Sequence, residues 1–157
     1  MDLGPRAIRF FFNFYPPFLL SRARITYIAP DWRELVIVLR KSLLTRNYVG
    51  TTFGGSMYTA ADPHFMIMLI KIFGIKDYII WDKGAVIDFK KPARSKLTYR
   101  FLITDNDLAR IRAELAEKGK SLPEFTVNGV DQAGEVCITV RKLLYIRKKD
   151  RPSVNQD

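Results

Sequence analysis

Leu97, Tyr99, Phe101 and Ile103 alternate with Thr98 and Arg100, a period of two that predicts a half-buried strand. The same period returns in Glu135–Tyr145, where Val136, Ile138 and Val140 alternate with Cys137, Thr139 and Arg141. The turn Asp131-Gln-Ala-Gly134 joins that stretch to a strand opened by Phe125 and Val127. Arg22–Ile28 and Glu34–Leu39 read as two more strands, with a turn at Pro30-Asp31 between them. Within the second, Val36-Ile37-Val38 is continuously apolar, which predicts burial on both faces. Tyr78–Trp81 and Ala85–Phe89 are β-rich, and Lys90-Lys91-Pro92 breaks the pattern after them.

Three stretches have helical character. Gly54–Phe73 is apolar almost all round and ends at Gly74, so sheet or another helix must wrap it. Residues 105–118 place Leu108, Ile111 and Leu115 on one face, with Thr104 and Asp107 as a partial capping box and Gly119 as the stop. Residues 4–15 predict a short helix with Pro5 in its first turn and Pro16-Pro17 at its end. Its aromatic side, with Phe10–Phe12, Phe14 and Tyr15, asks for cover. The pattern adds up to an α+β domain in which about six mostly antiparallel strands curve around a central helix. One domain is expected over 1–147, including an N-terminal helical extension over about 1–20, followed by a polar, disordered tail at 148–157.

Composition narrows the class. With 157 residues, 48% apolar and 27% charged, the chain suits one globular domain. The central run Phe65–Ile70 is far too short to span a bilayer. Pro16-Pro17 interrupts the N-terminal apolar run, and no small-residue cleavage site follows closely, unlike a signal peptide. Cys137 is the one cysteine, so an internal disulfide is excluded and a cytoplasmic setting is expected. One histidine, His64, argues against a multi-histidine metal site. The net charge of +10 gathers in two clusters, one from Lys83 to Arg100 and one from Arg141 to Arg151. Such a surface suits the phosphates of coenzyme A, and equally nucleic acid or solvent.

Candidate chemistry lies in Asn47–Asp62, N-Y-V-G-T-T-F-G-G-S-M-Y-T-A-A-D. A loop runs into Gly54-Gly55, which open the predicted helix. Free amides at a helix start can hold an oxyanion. Asp62 lies two turns on, about 10 Å along a continuous helix, too far to act with Gly55 on one atom. Its sequence neighbours Ala60, Ala61, Phe65 and Met66 carry no counter-charge, so burial is expected to raise its pKa. Asp62 can serve as base or nucleophile, and Asp-Pro is equally a standard helix start. Asn47 either positions substrate or water, or stabilises its own loop. Phe53 reads as a pocket wall. Ser56 and Thr59 flank the helix start.

The pattern N-x-x-G-x-x-F-G-G with an acidic residue seven positions on resembles the hotdog-fold acyl-CoA thioesterases. It is closest to the branch that includes the phenylacetic-acid-pathway enzymes, and to a little-characterised bacterial branch with Phe in the slot of Phe53, where many active relatives carry His. Trp81–Arg94, W-D-K-G-A-V-I-D-F-K-K-P-A-R, resembles the strand and turn after that fold's central helix. The resemblance implies hydrolysis of an acyl-CoA or acyl-carrier thioester, with Asp62 as base or nucleophile and the Gly55 or Gly54 amide polarising the carbonyl. It also implies a dimer or tetramer with a site shared between subunits, and Arg94 and Lys96 near the coenzyme A moiety. No metal or bound redox cofactor is implied. A non-catalytic acyl-CoA or lipid-binding module and a nucleic-acid-binding protein remain as alternatives. The basic clusters lack a recognisable base-stacking motif.

Overall fold

A computed structural model describes residues 3–149. Two helices, α1 (Pro5–Phe14) and α2 (Pro16–Ser21), precede strands β1 (Ala23–Ile28) and β2 (Glu34–Leu39). Then come α3 (Gly54–Thr59), α4 (His64–Phe73), β3 (Tyr78–Phe89), β4 (Leu97–Leu102) and α5 (Asp105–Lys118). The chain closes with β5 (Lys120–Ser121), β6 (Glu124–Val130) and β7 (Val136–Lys148). The sheet has seven strands in the order β1-β2-β4-β6-β7-β3, with β5 added beside β7. Every pairing is antiparallel. The sheet is curved and unclosed around the central helix, which is the arrangement the resemblance implies.

The core lies between the sheet's concave face and α4. Phe65 stacks on Phe125 at 4.7 Å between ring centroids and meets Phe101 edge-on at 5.1 Å. Met68 and Leu69 are fully buried beside them. The hydroxyl of Tyr99, on β4, donates to the Met57 carbonyl at 3.1 Å and pins α3 to the sheet.

Four details differ from expectation. The central helix is two helices, broken over residues 60–63, because Pro63 has no N–H to continue the ladder. The strand count is seven rather than about six, through the short β5. Tyr78–Phe89 is one strand, carried past Asp82 and Gly84 by a bulge instead of ending there. Pro16-Pro17 ends α1 and also starts α2, since proline fits the first turn of a helix. The expected tail at 148–157 falls outside the described residues beyond Lys149, and β7 runs through Lys148. Among the described residues no helix is long and apolar enough to cross a membrane.

Candidate active site

Asp62 sits in the break between α3 and α4. Pro63, not Asp62, occupies the N-cap position of α4, and no side chain caps that helix. The carboxylate is therefore spent elsewhere. Lys142, on β7, donates from Nζ to Asp62 Oδ1 at 2.7 Å. The same Nζ is 3.3 Å from Asp82 Oδ1, on β3, in an ion pair without hydrogen-bond alignment. It also reaches the Tyr58 hydroxyl, on α3, at 3.4 Å.

Strand alternation puts Lys142 there. Val140, Lys142, Leu144 and Ile146 share the inward face of β7, and all four are buried. The Lys142 side chain is 1% exposed, against 45% for Asp62 and 22% for Asp82. A lysine this deep persists only when it is paired. Its cation thus lies between two carboxylates, and Asp62 is the one that faces solvent most.

The electrostatics divide the two acids. Partial burial pushes the Asp62 carboxyl up, but the bonds from Lys142 and Tyr58 and the lysine charge outweigh it, holding Asp62 below its ordinary value. This reverses the expectation of a raised pKa, which considered only neighbours in sequence. Burial raises Asp82, and the Asp62 charge adds to that; Lys142 opposes without overcoming them. Burial lowers Lys142, but Asp62 and Asp82 more than compensate, so its ammonium is held above the ordinary lysine value. The cluster keeps Asp62 ionised and Lys142 charged at neutral pH.

Asp62 opens onto a cleft of about 830 Å³. One wall is Phe11, Phe14 and Phe18 from the N-terminal helices, and the other includes Met66 and Ile67 of α4. Tyr58 and Thr59 flank the carboxylate. The cleft sets an ionised oxygen beside an apolar chamber.

The profile of residues 4–146 matches the family described as Domain of unknown function (DUF4442). The chain belongs to the DUF4442 family. Among curated protein sequences, none matches it. Its fold is similar to that of a Pseudomonas aeruginosa protein of unknown function, PA5026, called a "Probable Thioesterase". The TM-score is 0.83 at 17% identity, over 95% of this chain and 99% of that one. A Chlorobaculum tepidum protein of unknown function, OLEI01261, gives a TM-score of 0.73 at 16% identity, over 94% of this chain and 98% of that one. The thioesterase HI1161 of Haemophilus influenzae gives 0.70 at 11% identity, over 98% of this chain and 96% of that one. The shared fold is the hotdog fold.

The structure separates most of the other candidate residues of this DUF4442 chain from Asp62, Thr59 excepted. Gly54 and Asn47 line a second cleft, of about 390 Å³, with Lys90, Lys91 and Phe89. The Asn47 side chain is committed to its own loop: Nδ2 donates to Thr51 Oγ1 at 2.8 Å, and Oδ1 accepts from the Thr51 amide at 2.9 Å. That is the loop-stabilising role. A Cβ on Gly55 would collide with the Phe53 ring, and one on Gly54 would meet Phe89 Cζ at 3.0 Å, so a side chain at either position would have to push an exposed ring aside. Phe53 is itself exposed. Ser56 is buried in α3. The Thr59 hydroxyl donates to the Gly55 carbonyl at 2.9 Å and borders the Asp62 cleft. Arg94 and Lys96 are exposed on the loop before β4, and among the described residues neither enters an ion pair. Lys90 pairs with Asp88, and Lys91 pairs with Asp131 and Glu135.

Lys142, Tyr58 and Asp82 are the residues that sequence reasoning missed. The signal was present for Lys142, because it continues the inward series Ile138 and Val140.

His64 is fully buried between Phe18 and Phe101, with ring centroids 5.4 and 5.0 Å away. Among the described residues, neither ring nitrogen has a properly formed hydrogen bond. Burial lowers its pKa to about 3, against smaller upward pulls from the Asp62 charge and the Ala60 backbone. A base depressed from 6.5 to about 3 gives stability that is complete above 6.5 and lost as the pH falls toward 3. His64→Leu is expected to hold or raise stability at pH 7.5 by about 1 kcal/mol, by removing two unsatisfied buried atoms. It should also flatten the loss on acidification. Urea midpoints at pH 7.5 and 4.5 measure both effects, and an unchanged pH difference would refute the assignment.

Proposed function

We propose that this chain hydrolyses an acyl thioester carried by coenzyme A or by an acyl-carrier protein. The observation that carries the proposal is Asp62, an ionised carboxylate held by buried Lys142 at the mouth of an apolar cleft. Ionised oxygen is the form that attacks a carbonyl carbon or accepts a proton from an attacking water. The apolar wall takes the acyl part. The amides of Gly54 and Gly55 are the candidate donors to the carbonyl oxygen. Direct attack expels the thiolate and leaves a mixed anhydride between Asp62 and the acyl group, which water then opens; in a single turnover in ¹⁸O-water, label in Asp62 identifies opening at the aspartyl carbon, an outcome the water-mediated route does not give.

The site in this reading is shared by two subunits. Gly54 and Asp62 belong to different clefts of one chain, so an amide from one copy would meet the carboxylate of another. The long edge strand β3 is suited to pair two copies. Val86 and Phe89 are 55% and 54% exposed on it, a surface that invites a second strand. A basic rim at Arg94 and Lys96 fits the coenzyme A phosphates. The setting we propose is the cytoplasm, on the cysteine usage.

The reading is tested by hydrolysis of short, long and aromatic acyl-CoA thioesters by the pure protein. Charge reversal at the rim, Arg94→Glu with Lys96→Glu, should raise KM for acyl-CoA about tenfold or more. It should leave KM for an acyl-pantetheine thioester, which lacks the nucleotide phosphates, nearly unmoved. Equal changes for both substrates would remove these residues from the site. A non-catalytic acyl-CoA-binding role is the second reading, favoured by the Phe53 ring lying across Gly55. Binding of the same compounds without turnover would support it.

A further inference from the structure

The cleft beside Asp62 has room for more than a reacting group. At about 830 Å³ it lies in the upper part of the roughly 300–1,000 Å³ range that encloses whole small-molecule ligands. Asp62, Tyr58 and Thr59, from α3 and the break after it, and Tyr15, between α1 and α2, carry its polar groups, and the remaining lining is apolar. The aromatic wall is fixed in place. Asn13, on α1, accepts from the Ile25 amide of β1 at 2.8 Å and donates to the Ile25 carbonyl at 3.1 Å, as a neighbouring strand would. Arg9 adds a bond to the Thr26 carbonyl at 3.1 Å. Yet Phe11 and Phe14 of that docked helix remain 58% and 63% exposed at the cleft. Side chains this apolar, held open beside a charged group, form a chamber for an apolar guest.

We propose that the N-terminal helices form the binding wall for a long fatty-acyl chain, which runs from Asp62 along Phe11, Phe14 and Phe18 of one side and Met66 and Ile67 of the other. The proposal deepens the thioester reading by naming the substrate class, and it rests on that reading for the chemistry at Asp62. A second copy of this chain packed into the cleft, as distinct from one that brings only a glycine amide to its edge, is the poorer occupant. Its side chains would seal an ionised carboxylate away from water, which costs free energy unless a new partner is supplied. A thioester instead brings its reacting carbonyl to that carboxylate and leaves only methylenes against the rings. Each methylene moved out of water strengthens binding by about fourfold.

The test uses non-hydrolysable thioethers, so it does not depend on turnover. Titration calorimetry of the full chain with S-hexadecyl-CoA and S-ethyl-CoA should show the long compound binding about 100-fold tighter or more. In Phe11→Ala with Phe14→Ala, both exposed positions, that ratio should fall about tenfold. A hexadecyl preference without hydrolysis of the matching thioester would leave the chain site standing and reject the thioesterase reading. Equal affinity for the two thioethers would overturn the proposal, as would a full hexadecyl preference in the double variant. Dissociation of an oligomer in the double variant, with the preference retained, would assign the wall to a second copy instead.

Discussion

Lys142→Met is expected to lower the melting temperature by roughly 5–10 °C and to move the acid limb of activity upward. The lysine is buried between Asp62 and Asp82, and methionine fills its volume without its charge. Breaking a fully buried ion pair by removing one partner costs about 3–5 kcal/mol. Asp62 keeps 45% of its side chain in water and Asp82 keeps 22%, so about 2–3 kcal/mol is the better figure here. Adding Asp82→Asn to the variant should recover part of the loss, since it removes one of two like charges left facing each other. The pH behaviour follows from the same cluster. Asp62 in the native protein lies below 3.8, so its ion pair gives stability above that value and loses it as the pH falls through the lower native pKa. Without Lys142, its bond and its charge no longer hold Asp62 down and the Tyr58 bond is left to oppose the larger effect of burial, so Asp62 rises from its native value and activity that needs the ionised form fails at higher pH. Thermal melts and a kcat/KM profile from pH 4 to 8 measure both. A structural lysine with no part in setting Asp62 would change the melt and leave the profile in place.

Much of the fold was legible because the sheet obeys a two-residue period. Leu97, Tyr99 and Phe101 point inward as their alternation predicts, and α5 begins on the Thr104–Asp107 capping box and ends at Gly119. The break in the central helix was visible as Pro63 but its consequence for the site was not. Once α3 and α4 separate, the spacing from Gly55 to Asp62 no longer measures a distance along one axis. The candidate site was legible only where it is local. Asp62 and Thr59 stand out in one short segment, and both reach the same cleft. Asp62 meets its partner across 80 residues of chain, and no pattern within its own segment announces a lysine on β7. The basic cluster around Arg141 hid Lys142 among surface charges, although the alternation of β7 had already turned it inward. Asp82 was hidden in the same way, two positions beyond Ile80 on the inward side of β3.

Asp62→Asn carries the largest expected effect on turnover. Asparagine keeps the size of the side chain and a carbonyl oxygen that can accept from Lys142 Nζ, so the fold should survive with a modest loss of stability. It lacks the ionised oxygen, the group assigned to attack the carbonyl or to take a proton from water. Loss of such a group lowers kcat by about 100-fold or more. The loss should fall on kcat and on kcat/KM equally, as for an interaction made in the transition state, while binding of S-hexadecyl-CoA remains. The deciding measurement is kcat/KM of wild-type protein and Asp62→Asn on acyl-CoA thioesters of short, long and aromatic acyl groups, with folding of both confirmed by melting curves. The account predicts turnover of at least one thioester by the wild type and a fall of about 100-fold or more in the folded variant; equal rates in the two proteins, or no turnover by the wild type on any thioester, would contradict it.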